Sequence, residues 1–239
     1  MQQVETMERI MPDLMRTGDK AAQLSLKLHL ERYHFACQHL LPGRVLDIAC
    51  GTGYGTRQLA ECSGNACIGV DVSFDAIAYA TNRYAHPDIR FICEDVLQFT
   101  DAGRFQNIVS LETIEHLQDP AVVVAHLYEL LLPGGRLIAS APVTPSVDAN
   151  PYHVNDFTAR SFRALFAKHK LAEVASLVQR QPYSIREIFS KKTGRTSNAR
   201  KGLVRYYLSN PGKFFLRIRS LLTDGLNNHY LVLVLQKQG

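Results

Sequence analysis

The stretch "SLETIEHLQDP", residues 110 to 120, sets Glu112, Glu115 and His116 at relative positions 0, 3 and 4, directly after the apolar run "IVSL". On one turn of helix-like chain that spacing brings all three side chains to one side. Two carboxylates crowded together are unfavourable unless a cation or a proton sits between them, and a neighbouring imidazole offers a further ligand. A fourth donor follows in "ANPYHVNDFTARSFRALF", where His153 stands in a loop before a helix that Thr158 is placed to cap. This mixture of carboxylate and imidazole accepts Mg²⁺, Mn²⁺, Fe²⁺ or Zn²⁺ without choosing among them. Two plainer readings stand beside metal binding: His116 as a general base in a metal-free site, or solvated polar groups that only close a turn.

Such a cluster needs a frame to hold it. Between residues 44 and 141 short apolar runs alternate with helical patterns: "RVLDIAC", "ACIGVDV", "IRFICED", "FQNIVSL" and "RLIASAP" read as strands, with Ser73 as the N-cap of the helix after the second. The pattern predicts a helix from Asp119-Pro120 to Leu132, followed by a "PGG" turn. Strands of this kind form a parallel sheet covered on both faces, an α/β doubly wound, Rossmann-like fold whose ligands lie beyond the strand carboxyl ends. Two later runs, "LAEVASLVQ" and "HYLVLVLQ", complete a seven-stranded sheet as an antiparallel pair. The long stretch between them reads as a helical insertion rather than a loop. The expected organisation is an N-terminal helical cap (1–43), a core (44–180), a basic insertion or lid (181–228) and a final core strand (229–239).

The fourth strand is expected to end at Leu111, so the Glu/His cluster falls where ligands bind. The first strand leads into "DIACGTGYG", with glycines at 51, 53 and 55. Glycine tolerates positive φ and lets a ligand approach the backbone, here at a strand-to-helix turn. A pyrophosphate-binding GxGxxG would put its third glycine at position 56, which is Thr, so the spacing leans away from NAD. Asp71 ends the second strand, where a carboxylate could accept both hydroxyls of a ribose. Asp95 ends the third, where it could accept from an adenine amino group, with the Val96 amide nearby.

The ordered set DxxCGTGxG, then VD, then ED resembles the class I S-adenosylmethionine (SAM)-dependent methyltransferases over residues 29 to 170. The resemblance implies SAM as cofactor and a seven-stranded sheet. It implies that Gly51 and Gly53 pass along the methionine part, that Asp47 stands near its amino group, and that Ala49, Val72 and Glu112 line the same cleft. Upstream, "HLERYHFACQHLLPGRVLDIACGTGYG" resembles a bacterial subgroup associated with surface-glycan and sugar modification, in which Arg32 and Tyr33 could cap the cofactor carboxylate; a helix packed on the sheet explains them equally. ExxEH followed by a loop His resembles two metal-dependent groups, the small-RNA 3′-end 2′-O-methyltransferases and the ubiquinone-pathway O-methyltransferases. Carried over, Glu112, Glu115, His116 and His153 become ligands of a divalent metal, with Glu115, His116 and His153 also in catalytic roles.

Methyl transfer to a hydroxyl gives the metal a purpose. The sulfonium methyl is already electrophilic, so the task is to align an acceptor and remove its proton, which a metal-bound oxygen releases more readily. The expected acceptor is a hydroxyl of a sugar, glycan or related small metabolite, with an RNA 2′-hydroxyl as the runner-up. A non-catalytic cofactor-binding scaffold subunit is the rival outside enzymes.

Charge and cysteine content narrow the setting. Residues 180–219 hold eleven Lys/Arg and one acid, so the net charge of +5 is local in origin. That segment interleaves "IF", "YY", "FF" and "LL" with cations, which suits an anionic acceptor, nucleic acid or the surface of an anionic membrane, or else a solvated lid with aromatics packed inward. Five cysteines, an odd number with no CxxC, fit reduced buried thiols. The N-terminal stretch lacks a basic and then apolar leader, and the expected location is the cytoplasm.

Overall fold

The structure, a computed structural model, describes residues 12–14, 20–101, 104–143, 153–182, 207–224 and 227–238. Most of the expected insertion, residues 183–206, lies outside the described residues, as do 1–11 and 15–19.

Seven strands form one sheet: β1 (Val45–Ile48), β2 (Cys67–Asp71), β3 (Ile89–Cys93), β4 (Phe105–Leu111), β5 (Leu131–Pro142), β6 (Leu171–Pro182) and β7 (Asn227–Lys237), in the order β3-β2-β1-β4-β5-β7-β6. The first five are parallel, while β7 runs antiparallel between β5 and β6. Among the described residues the helices named here are α1 (Lys20–Gln38), α2 (Tyr54–Ser63), α3 (Phe74–Arg83), α4 (Pro120–Leu130), α5 (Ala159–Ala167) and, between β6 and β7, α6 (Pro211–Asp224). The strand order turns back on either side of β1 and β4, which opens a crevice at their carboxyl ends.

Alternation along the strands sorts the core into two layers. Leu46, Ile48, Ile108, Leu137, Ala139 and Leu233 face one side with α4 and α5. Val45, Val109, Leu111, Ile138, Val232 and Val234 face the other, with Tyr33 and Ala36 of α1 and Leu59 and Ala60 of α2. Period 2 also fixes Asp47 on the face of Val45, beneath α1 and α2.

The caps follow the sequence. Ser73 Oγ accepts from Ala76 N at 3.3 Å, and Asp119 accepts from Ala121 N and Val122 N ahead of Pro120. Thr158 and Ser161 form a reciprocal capping box at the start of α5.

Two expectations are corrected. Helix α4 ends at Leu130, and "PGG" is not a separate turn but part of β5. The β4–β5 register jumps from Phe105↔Leu131 to Asn107↔Arg136, so the strand absorbs these residues as a bulge. Gly134 takes φ +73 there, and a Cβ on Gly135 would come within 2.9 Å of Leu132 O. The cysteines are not all reduced: Cys37 of α1 and Cys62 of α2 form a disulfide, their Cα atoms 6.0 Å apart. Counting cysteines could not anticipate that two helices packed side by side bring this pair within bridging distance. Cys50, Cys67 and Cys93 are free.

Candidate active site

The glycine turn is built by backbone conformations that few residues adopt. Ala49 has φ +55, Gly51 +55 and Gly53 +84. A Cβ on Gly51 would meet open space, whereas one on Gly53 would come 2.6 Å from Ala80 Cβ and 2.8 Å from the Phe91 ring. Gly51 thus borders the crevice, and Gly53 lets α2 close on α3 and β3. Ala49 holds the same left-handed conformation with a side chain, a strained choice for a non-glycine residue.

Asp47 lies wholly buried under this turn. Its Oδ2 accepts from Thr56 Oγ1 at 2.6 Å and its Oδ1 from the Tyr33 hydroxyl at 3.3 Å. Burial pushes the Asp47 pKa up to about 7, against the opposing pull of these two hydrogen bonds. The Tyr33 ring covers Gly55 so closely that any Cβ there would collide with it. Tyr33 and Asp47 therefore clamp α1 to the glycine turn from below. Thr56, which sits where a third pyrophosphate glycine would be, completes the clamp.

Asp71 ends β2 with each carboxylate oxygen held by a backbone N–H: Oδ2 accepts from Gly51 N at 2.9 Å and Oδ1 from Ser73 N at 2.8 Å. At the next strand end Asp95 Oδ1 accepts from Leu97 N at 2.8 Å, and the Asp95 side chain is open to solvent. Val72, Phe74 and Leu97 expose apolar surface around these two acids, while Val96 is half-buried against the core.

The loops after β4 and β5 meet, as neighbouring strands require. Val154 N and Asn155 N both donate to Glu115 O at 3.0 Å, and Asn155 Nδ2 donates to Leu117 O at 2.6 Å. These bonds tie the His153 loop to the short 3-10 turn Ile114–His116. Ligand atoms of Glu115, His116 and His153 consequently lie within 4.8 Å of one another. The two imidazole rings stand edge to face at 4.8 Å, and His116 Nε2 is 4.0 Å from Glu115 Oε1. Glu115 is fully buried and His153 nearly so, with His116 facing the crevice. One carboxylate and two imidazoles are the donor set of many three-ligand sites that leave a position open, so these residues fit a divalent ion.

Glu112 does not join that cluster. It adopts φ +52, which swings its side chain toward α1 and β5. Its Oε1 accepts from Ser140 Oγ at 2.7 Å and lies 3.6 Å from Nη1 of Arg32. The 3-10 turn also replaces the regular helical turn on which the 0, 3, 4 spacing would have converged. Arg32, only 2% exposed, is held by its Nε on Gln179 Oε1 at 2.7 Å and stacks over the Tyr230 ring at 4.3 Å. Ser140, Gln179 and Tyr230 had no signal in the sequence, because they reach the crevice only through strand pairings over long separations.

Residues 45–135 match the family model described as a methyltransferase domain. Among curated proteins, a probable S-adenosylmethionine-dependent methyltransferase of Mycolicibacterium smegmatis is 33% identical over 134 residues, covering 53% of this chain and 51% of that protein. A ubiquinone biosynthesis O-methyltransferase of Coxiella burnetii is 36% identical over 99 residues, covering 40% and 42%. The chain thus spans about half the length of the curated relatives it matches. Among solved structures, the N-methyltransferase NodS of Bradyrhizobium japonicum in complex with S-adenosyl-L-homocysteine superposes with a TM-score of 0.59 at 16% identity, over 90% of this chain and 88% of that one. The fold is that of the class I methyltransferases, here with α6 set between the last two strands.

Proposed function

We propose that the chain is a SAM-dependent methyltransferase that moves a methyl group to a hydroxyl of a sugar, glycan or related small metabolite, with a divalent ion held by Glu115, His116 and His153. The observation that carries this reading is the meeting of those three side chains at the carboxyl ends of β4 and β5, beside a glycine turn of matching fold. The SAM-dependent relative in Mycolicibacterium smegmatis and the product-bound NodS fold support the choice of cofactor.

In this reading the cofactor's methionine part runs over Gly51, and its ribose hydroxyls donate to Asp71, whose backbone bonds have already fixed its orientation. Asp95 receives the adenine amino group between the apolar surfaces of Val72, Phe74 and Leu97. Asp47 acts from below, holding the turn in shape through Thr56 and Tyr33 rather than touching the ligand. Arg32 and Glu112 form a buried pair facing the cofactor's amino-acid end, where a guanidinium suits a carboxylate and a carboxylate suits an ammonium.

With S-adenosylmethionine bound, in-line attack by the acceptor oxygen on the sulfonium methyl carbon would break the carbon–sulfur bond onto sulfur and release the hydroxyl proton. Where no ion is bound, His116 is the group placed to take that proton, with the Glu115 carboxylate to offset the charge the ring acquires; where His116 serves as an ion ligand, the proton leaves to solvent. A divalent ion held by Glu115, His116 and His153 would supply Lewis acidity to the acceptor oxygen and lower the pKa of its hydroxyl. Binding of the acceptor beside His116 orients the oxygen, and such orientation accounts for much of the barrier reduction in transfers of this kind.

A second reading, proton transfer by His116 with no metal, is favoured by the diversion of Glu112 to Arg32 and Ser140, which leaves three donors where the resembled groups use four. Calorimetric titration with S-adenosyl-L-homocysteine, followed by a mass-shift assay on hydroxylated acceptors with and without chelator, separates the cases. Turnover abolished by chelator and restored by one divalent ion supports the metal reading. Full turnover in chelator selects His116 alone, and tight cofactor binding with no turnover across sugars, glycans and RNA selects a scaffold.

A further inference from the structure

Helix α6, "PGKFFLRIRSLLTD", overlaps the basic segment, and five of its apolar side chains, Phe214, Phe215, Leu216, Ile218 and Leu222, are exposed. Phe214, Ile218 and Leu222 follow one another at i, i+4 and i+8 along one line, with Phe215 beside them. Their relative exposures are 44%, 39%, 82% and 69%, so this stripe faces solvent. Arg217 lies on one flank of the stripe and Arg219 on the other. Leu208, in the helical turn ahead of α6, adds another exposed leucine at 79%.

An apolar stripe bordered on both sides by arginines is the arrangement of a helix that lies in a lipid interface, with its apolar residues at the acyl boundary and guanidinium groups among phosphates. The charge of the surrounding segment has the matching sign: residues 180–219 carry eleven Lys/Arg against one acid. No helix among the described residues is long and apolar enough to cross a membrane, so this would be attachment without insertion. Nucleic acid would satisfy the arginines but leave the phenylalanines and Leu222 in water, which makes lipid the better match.

We propose that α6 docks on an anionic lipid surface. The topology sets what such docking would present to the membrane. Strands β6 and β7, which flank α6, pair at Pro182↔Asn227, and Tyr230 of β7 pairs with Pro142 at the carboxyl end of β5. The insertion that holds α6 therefore connects to the sheet at the same end as Glu115 and His153, and docking tethers the chain to the bilayer from that end. The proposal does not depend on the methyl-transfer reading, since docking needs neither cofactor nor turnover.

The test is co-sedimentation of the full chain with vesicles of phosphatidylcholine alone or mixed with phosphatidylglycerol, at several salt concentrations. Binding to the mixed vesicles that weakens with salt is expected. Phe215→Asp combined with Leu222→Asp should reduce it at least tenfold. Arg217→Gln with Arg219→Gln should reduce it by about fivefold per charge removed and flatten the salt dependence. All four positions are at least partly exposed, and unchanged circular dichroism and melting would show that the variants fold. Equal sedimentation of wild type and both variants, or none with anionic vesicles, overturns the proposal. So does a dimer dissociated by the Asp substitutions, or RNA binding that exceeds vesicle binding, since either gives the helix a different partner.

Discussion

Nη1 of Arg32 lies 3.6 Å from Oε1 of Glu112, so the first carboxylate of the ExxEH run is directed to helix α1, while the second stays with the histidines. Residues that are adjacent in the motif thereby acquire separate tasks: Glu112 belongs to the Arg32 pair and Glu115 to the His116–His153 cluster.

This division predicts different consequences for two similar substitutions. Glu115→Gln should lower divalent-ion affinity at least about 100-fold, more than the loss of an outer-shell partner costs. Glu112→Gln should leave ion affinity within a fewfold of wild type and instead weaken binding of S-adenosyl-L-homocysteine, because the buried Arg32 loses its counter-charge. Calorimetry with the ion and with the cofactor product, each on both variants, is the check; equal loss of ion binding in both would return Glu112 to the ligand set.

Asp47 predicts a pH dependence of stability. Its pKa rises from the ordinary 3.8 to about 7 on folding, so the folded state binds its proton more tightly. The stabilisation is fully present below about pH 4 and is lost as pH climbs toward 7. Burial and the nearby Arg32 hold His29 down to about 3, which gives a slope of the opposite sign: His29 costs stability as pH falls below about 6.5. The two slopes oppose each other, and wild type should look flat between pH 4 and 6.5. Asp47→Asn removes one of them, so denaturant melts of the variant should gain on wild type by a few kcal/mol between pH 4 and 7. A difference between the two that does not change with pH would show that Asp47 does not hold its proton this way.

The disulfide predicts a redox dependence. Cys37–Cys62 closes a sequence separation of 25 and joins α1, which carries Arg32 and Tyr33, to α2 behind the glycine turn. Removing a crosslink over such a loop costs about 3 kcal/mol in the chain-entropy account. Reduction, or Cys37→Ala, should lower the melting temperature by several degrees, and thiol counting under denaturing conditions should find three free thiols before reduction and five after. Five free thiols in the untreated protein would contradict the pairing.

Much of this was legible in the sequence because it is local. Strand alternation, the Ser73 and Thr158 caps, the glycine turn and the order of acids at the strand ends are set by neighbours in the chain, and each stands where its pattern put it. His153 was also reachable, since consecutive crossovers of a doubly wound sheet set the loops after β4 and β5 side by side. What the sequence hid depends on side-chain direction and on distant pairings. A positive φ at Glu112 turned one carboxylate away from the cluster, and no pattern of residue types announces a left-handed glutamate. Gln179 and Tyr230 reach Arg32 only because β7 folds back between β5 and β6. The Cys37–Cys62 bridge likewise needed the packing of α1 on α2, which parity of cysteines does not encode.

Crystals grown with S-adenosyl-L-homocysteine and Mn²⁺, read by anomalous diffraction at the manganese edge, decide whether Glu115, His116 and His153 hold an ion beside the cofactor. One strong peak is expected within bonding distance of Glu115, His116 and His153, with the homocysteine part running over Gly51 and Glu112 still paired to Arg32. Cofactor product seated at the glycine turn with no manganese beside those three residues would contradict the proposed ion site.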